Sequence, residues 1–174
     1  MMHRVAKFYK VPFDKFKEAW MNEFPDFSEE ATKAVWEAIK LPKRATAGSM
    51  GYDFFAPIPI TLKPGETIKM PTGVGISFVE DGWGLFCLPR SGLGFKCRLQ
   101  LDNTVGVIDA DYEFAENGGH IFEKITCDSK TNKTVMVNQG DGFVQGIILP
   151  YGITLDDDCT AERTGGMGST TGKV

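Results

Sequence analysis

Residues 58–88 read Ile58-Pro59-Ile60-Thr61-Leu62-Lys63-Pro64-Gly65-Glu66-Thr67-Ile68-Lys69-Met70-Pro71-Thr72-Gly73-Val74-Gly75-Ile76-Ser77-Phe78-Val79-Glu80-Asp81-Gly82-Trp83-Gly84-Leu85-Phe86-Cys87-Leu88. Short apolar runs (Ile58 to Leu62, Thr67 to Met70, Val74 to Val79, Trp83 to Leu88) alternate with Lys63-Pro64-Gly65-Glu66, Pro71-Thr72-Gly73 and Glu80-Asp81-Gly82. Proline presets φ and glycine accepts positive φ, so these dividers are turns and the runs between them are strands. Asp81-Gly82 is read as the two-residue turn of a hairpin joining the last two runs. Further runs follow at Leu99 to Leu101, Val105 to Ile108, His120 to Thr126, Thr134 to Asn138 and Phe143 to Leu149, with turns at Gly118-Gly119 and Asp128 to Lys133. Many short strands with regular turn signals predict a mainly β chain: an antiparallel sandwich, jelly roll or closed barrel.

Upstream the pattern changes. Arg4 to Pro12 reads as a strand. Phe13, Phe16, Trp20 and Phe24 then recur at helical spacing until Pro25. A second helix is expected from Asp26 or Ser28, with Glu29 and Glu30 in its first turn, an apolar stripe of Ala31, Val35, Ala38 and Ile39, and Pro42 at its end. Both stripes predict packing surfaces against the body or a neighbouring subunit. The chain divides into an N-terminal strand and helical extension, 1–42; a β domain, 43–162; and a glycine-rich arm, 163–174, too poor in apolar residues to order itself alone.

Composition narrows the function. With Lys and Arg at 19 against Asp and Glu at 23, the net charge of −4 argues against non-specific nucleic-acid binding, while leaving room for a local phosphate pocket. No apolar run approaches the roughly 20 residues of a membrane span, and the first residues lack a signal-peptide core. A cytoplasmic protein is expected. The four cysteines form no C-x-x-C pair, and His3 and His120 are the only histidines. Structural zinc therefore lacks a ligand set, Ser-His or Cys-His nucleophilic catalysis is disfavoured, and the thiols are expected to be reduced small hydrophobes.

Five stretches carry chemistry. Ala47-Gly48-Ser49-Met50-Gly51-Tyr52-Asp53-Phe54 reads as a turn entering a strand. Pro89-Arg90-Ser91-Gly92-Leu93-Gly94 combines a guanidinium, a hydroxyl and glycine-rich backbone, which suits phosphate oxygens. In Asn103-Thr104-Val105-Gly106-Val107-Ile108-Asp109-Ala110-Asp111-Tyr112, Val105 to Ile108 is expected as one strand of a hairpin. Asn103 offers a donor and an acceptor for a pyrimidine edge, Asp109 is a candidate general base, and Tyr112 is a candidate sugar platform. Gly140-Asp141-Gly142-Phe143-Val144-Gln145-Gly146 puts Gln145 on a buried strand. Arg163-Thr164-Gly165-Gly166-Met167-Gly168-Ser169-Thr170-Thr171-Gly172-Lys173 departs from a P-loop, because Met167 stands where that motif has its first glycine and Val174 follows the lysine.

Taken together, in this order, the five resemble the homotrimeric dUTP diphosphatase (dUTPase) family, with its A-G-Y-D, P-R-S-G-L, N-x-x-G-x-I-D-x-D-Y, G-D-R-x-x-Q and R-G-x-G-G-F-G-S-T-G motifs, over Lys43 to Gly172. The resemblance implies a jelly-roll-like distorted β-barrel, with the short helical segment added at its N-terminus. It implies a homotrimer with three active sites between subunits, and Mg2+ held mainly by substrate phosphates and waters, without a firm protein ligand. The reaction implied is hydrolysis of dUTP to dUMP and pyrophosphate, which limits uracil entry into DNA and supplies dUMP for dTMP synthesis. Asp109 would activate the attacking water. Asn103, with the backbone at Val107 and Ile108, would read uracil, and Tyr112 would pack on deoxyribose. Arg90, Ser91, Gly92 and Gln145 would bind phosphate, with Asp53 and Asp111 in support. Arg163, Gly165, Gly166, Met167, Gly168 and Ser169 would close over the substrate. The chain departs from the family pattern in its longer first motif, in His120 where glutamate is common, in Gly142 for arginine and in Met167 for phenylalanine. A dCTP deaminase of the same fold would want a glutamate facing the pyrimidine amino group, which the Asp109 segment does not offer. A non-catalytic nucleotide-binding regulator on the same scaffold is the remaining alternative, and the intact Asp109 and arm argue against it.

Overall fold

A computed structural model describes residues 3–166. The N-terminal strand β1 (Ala6–Lys10) leads into helix α1 (Phe13–Glu23) and helix α2 (Glu29–Ala38). Ser28 caps α2 by accepting the Ala31 amide proton at 3.1 Å, which satisfies one of the orphan donors of its first turn. The stripe expected on α1 is buried: Phe16 and Trp20 are wholly inaccessible, with their rings stacked 5.0 Å apart.

The body is mostly β. Strands β2 (Tyr52–Phe55), β3 (Ile60–Leu62), β4 (Thr67–Pro71), β5 (Val74–Phe78), β6 (Trp83–Pro89), β7 (Leu99–Leu101), β8 (Gly106–Ile108), β9 (Phe122–Cys127), β10 (Val135–Val137) and β11 (Gly142–Pro150) follow. Their order is β2-β11-β6-β8 in a four-stranded sheet and β4-β9-β7 in a three-stranded one, with the pairs β1-β5 and β10-β3 beside them. All pairings are antiparallel. Consecutive strands therefore go to different sheets, as in a jelly roll. Phe54, Phe143, Ile60, Met70, Ile76, Leu85 and Ile125 fill the space between them.

Two expected hairpins are corrected by this topology. The Asp81-Gly82 turn is present, with Gly82 at φ +79°, but β5 pairs with β1 while β6 pairs with β11 and β8. Likewise β8 pairs with β6 rather than with the preceding β7. A turn signal fixes where the chain reverses but leaves open the strand that receives it. The glycine-rich 89–94 stretch also differs from a simple loop: Ser91–Cys97 forms a short helix, α3, closed by Arg98 at φ 52°, whose guanidinium is held by Asp128 at 2.6 Å. All four cysteines are free thiols; Cys87 and Cys127 are buried as small hydrophobes, while Cys97 is half-buried and Cys159 exposed.

Candidate active site

The candidate residues fall into two clusters, one on either flank of β6. On one flank, β11 lies antiparallel to both β2 and β6, which places Gln145 between Asp53 and Leu88. Gln145 donates to the Pro89 carbonyl at 3.1 Å and so fixes the start of the Arg90 segment. Arg90 is held from two sides: its Nε lies 3.0 Å from Asp53 Oδ1, and its Nη1 donates to the Gly142 carbonyl at 3.0 Å. A β-carbon on Gly142 would come within 2.9 Å of Arg90 Nη1, so the glycine that departs from the family pattern makes room for this guanidinium. Ser91 and Gly92 open α3, ahead of its first intrahelical bonds, with their amides in the first turn. Arg90, Ser91, Gly92, Lys96, Asp141 and Gly142 are among the residues lining an open cavity of about 460 Å³. Lys96 was missed by the sequence reading. Only the helical form of 91–97 turns it toward the cavity shared with Arg90.

On the other flank, β8 ends at Ile108 and delivers Asp109, its side chain 55% exposed, to the surface. A 3-10 turn, Tyr112–Phe114, follows. Tyr112 is buried and donates its hydroxyl to the His120 carbonyl at 3.0 Å. Arg163 lies across this cluster. Its Nε is 2.7 Å from Asp111 Oδ1, its Nη2 bonds Asp109 Oδ2, and its guanidinium carbon sits 5.6 Å from the centre of the Tyr112 ring. The next residue is pinned as well, with the Glu116 amide donating to the Thr164 carbonyl at 3.3 Å. Arg163 to Gly166 are thus described in place on the carboxylate cluster; Met167, Gly168 and Ser169 lie outside the described residues. Asn103 and Val107 are exposed on the turn and strand that precede Asp109. Thr104, beside Asn103, holds φ 66°, a strained value for a β-branched residue, in a turn closed by the Thr104 amide donating to the Leu101 carbonyl at 2.9 Å.

The dUTPase family model matches residues 37–171. The chain belongs to the dUTPase family. A deoxyuridine 5'-triphosphate nucleotidohydrolase of Hahella chejuensis is 37% identical over 145 residues, covering 79% of this chain and 91% of the relative. The crystal structure of the Streptococcus mutans dUTPase matches with a TM-score of 0.57 at 36% identity, covering 68% of this chain and 90% of that one. A mutant dUTPase from phage phi11 of S. aureus, whose structure shows the coordination of a structural Mg(II) ion, shares the fold with a TM-score of 0.60 at 19% identity, covering 91% of this chain and 98% of its own. The dUTPase match begins at residue 37, so β1, α1 and most of α2 precede it.

The donor set bears on metal binding. Among the described residues no group of three or more His, Cys, Asp and Glu side chains is arranged to hold a metal ion. The carboxylates of both clusters are already engaged by arginines, Asp53 by Arg90 and Asp109 and Asp111 by Arg163. The oxygen donors at the two clusters, Asp53, Asp109, Asp111 and Asp141, are of the hard type that suits Mg2+. No described helix is long and apolar enough to cross a membrane.

Proposed function

We propose that this protein hydrolyses dUTP to dUMP and pyrophosphate, with Asp109 accepting a proton from the water that attacks the α-phosphate. The observation that carries this is the dUTPase match across residues 37–171, with an accessible carboxylate at the Asp109 position of the family motif. Arg90, Ser91, Gly92 and Gln145 supply the triphosphate end, and Lys96 adds a second cation on the wall that holds Arg90. Asn103 and the backbone at Val107 and Ile108 supply the uracil end, and Tyr112 the sugar platform. Asp53 orients Arg90, and Asp111 orients Arg163. Mg2+ bound with the triphosphate beside Arg90, Ser91 and Gln145 would supply charge neutralisation for the pyrophosphate leaving group. Arg163 exchanges Asp109 for a phosphate oxygen, which frees the base, and Gly165 and Gly166 follow it toward the nucleotide to exclude bulk water.

The two clusters are completed between copies in a homotrimer. Phe95 beside the phosphate cluster is 91% exposed, Met136 on the cavity wall is 74% exposed, and Val107 beside Asp109 is 57% exposed, all of which suits a face covered by another copy. The substrate pool is cytoplasmic, and nucleic acid has no direct role. The test is release of pyrophosphate from dUTP with Mg2+ by the purified protein, alongside UTP, dTTP and dCTP. Pyrophosphate from dUTP alone supports the reading. Ammonia from dCTP would select the deaminase, and binding without turnover would select the regulator.

A further inference from the structure

We propose that His120 is a positioning residue for sugar selection, its imidazole holding in place the main-chain carbonyl that anchors Tyr112. The proposal rests on the reading of Tyr112 as the deoxyribose platform. His120 is wholly buried. Its Nε2 accepts the Gly73 amide proton at 2.8 Å, so the ring carries its proton on Nδ1. Phe16 of α1 and Phe122 of β9 flank the ring, with centroids 5.9 Å and 4.5 Å away. Burial, with Lys69 nearby, pushes the imidazole down to about 3, so it stays neutral at any working pH. A neutral buried imidazole with one nitrogen bonded to backbone is a fixed strut, not an acid or base.

The carbonyl of the same residue receives two bonds. Tyr112 Oη donates to it at 3.0 Å and Asn117 Nδ2 at 3.1 Å, while Asn117 Nδ2 also reaches Tyr112 Oη at 2.9 Å. The loop between them is tied down by the Gly119 amide donating to Asn117 Oδ1 at 3.1 Å and by Tyr9 Oη donating to the Gly118 carbonyl at 3.1 Å. The ring of Tyr112 is thus set by a carbonyl that His120 holds from the core side and Asn117 from the surface side. The strut ends in the N-terminal extension: Gly73 packs so closely that a β-carbon there would stand 2.1 Å from Ile39 Cδ1 and 3.2 Å from Phe16. Helix α1, which precedes the dUTPase match, packs on this histidine through Phe16, and Ile39, just beyond α2, packs on Gly73.

The buried Nδ1, which has no hydrogen-bond partner among the described residues, argues against a packing role alone. An apolar side chain of the same bulk would avoid that orphan donor, but it would leave the Gly73 amide without its acceptor. The test compares kcat and KM for dUTP and UTP in the full-length protein across His120→Leu, His120→Gln, Asn117→Ala and Tyr112→Ala, with thermal melts as a control. Leucine removes the acceptor, and glutamine keeps one for the Gly73 amide. His120→Leu is expected to raise the KM for dUTP and cut the dUTP-over-UTP preference about tenfold, the worth of one hydrogen bond, with kcat within twofold and glutamine restoring both. Asn117→Ala, which breaks the bracket from its surface side, is expected to give the same loss and decides the matter if His120→Leu does not fold. Loss of preference in Tyr112→Ala but in neither bracket variant would overturn the proposal and leave the sugar reading standing. An unchanged preference in Tyr112→Ala would overturn the sugar reading itself.

Discussion

Arg163 is ion-paired with Asp109 across 54 residues of chain, its Nη2 on Asp109 Oδ2, while its Nε engages Asp111 two residues further on. The carboxylate assigned as base thus shares its arginine with a second carboxylate two residues away.

Removing the arm therefore costs turnover rather than folding. Deletion of residues 163–174 is expected to lower the rate on dUTP at least a hundredfold while the melting temperature moves by only a few degrees, since Arg163 and Thr164 are held mainly by exposed carboxylates and one backbone bond, with Tyr112 the core residue that Arg163 covers. Arg163→Lys is expected to recover little, because an ammonium cannot reproduce a fork that spans two carboxylates. Steady-state rates and melts of the two variants check this; full activity in the truncated protein would remove the lid role.

Arg90 is aimed by Asp53 and by the bare backbone of Gly142. Gly142→Ala sets a methyl group against the guanidinium. It is expected to raise the KM for dUTP roughly tenfold to a hundredfold, the worth of a displaced charge-assisted bond, with a smaller effect on kcat. Initial-rate kinetics decide between this and a silent substitution.

The strands of the body were legible because their dividers are chemically explicit: Gly65, Gly73 and Gly82 all adopt positive φ where the sequence shows Pro-Gly, Thr-Gly and Asp-Gly. Helix α1 was legible because Phe16 and Trp20 share one buried face; α2 was legible from its Ser28 cap and acidic first turn, but its buried residues are Thr32 and Val35, with Ala31 and Ala38 of the expected stripe exposed. Strand partners were not legible, since β5 to β6 and β7 to β8 look like hairpins until sheet pairing sends them apart. Helix α3 hid behind two glycines, whose poor helix propensity is outweighed by the bonds from Gly94 to Arg90 and from Arg98 to Gly94. The family motifs named Asp109 and Arg163 separately; nothing local announces that they meet. The surroundings of His120 were equally hidden, because Gly73 and Phe16 reach it from distant parts of the chain.

Two buried groups give stability an unusual dependence on pH. Burial pushes Glu123 up from 4.5 to about 7, partly opposed by its bond to Cys87, and burial, with Lys69 nearby, pushes His120 down from 6.5 to about 3. Between about pH 5 and 6.5 the native state holds the Glu123 proton that the unfolded chain has released, so this group loses stabilising effect as pH rises. Over the same window the unfolded chain protonates His120 while the native state does not, so that group loses stabilising effect as pH falls. Each slope is about 1.4 kcal/mol per pH unit, and the two oppose each other. The unaltered protein is expected to be nearly flat there, Glu123→Gln to gain stability with rising pH, and His120→Gln to lose it. Urea titrations at several pH values read these slopes, and a wild-type-like profile in Glu123→Gln would contradict the assignment.

The most direct test is pyrophosphate release from dUTP by Asp109→Asn beside the unaltered enzyme. Asparagine keeps the size of the side chain and an oxygen for Arg163, but its amide is a poor proton acceptor. The expected result is a turnover number at least a hundredfold lower, the usual worth of a general base, with binding of dUTP and the melting curve little changed. An unchanged turnover number would contradict the account.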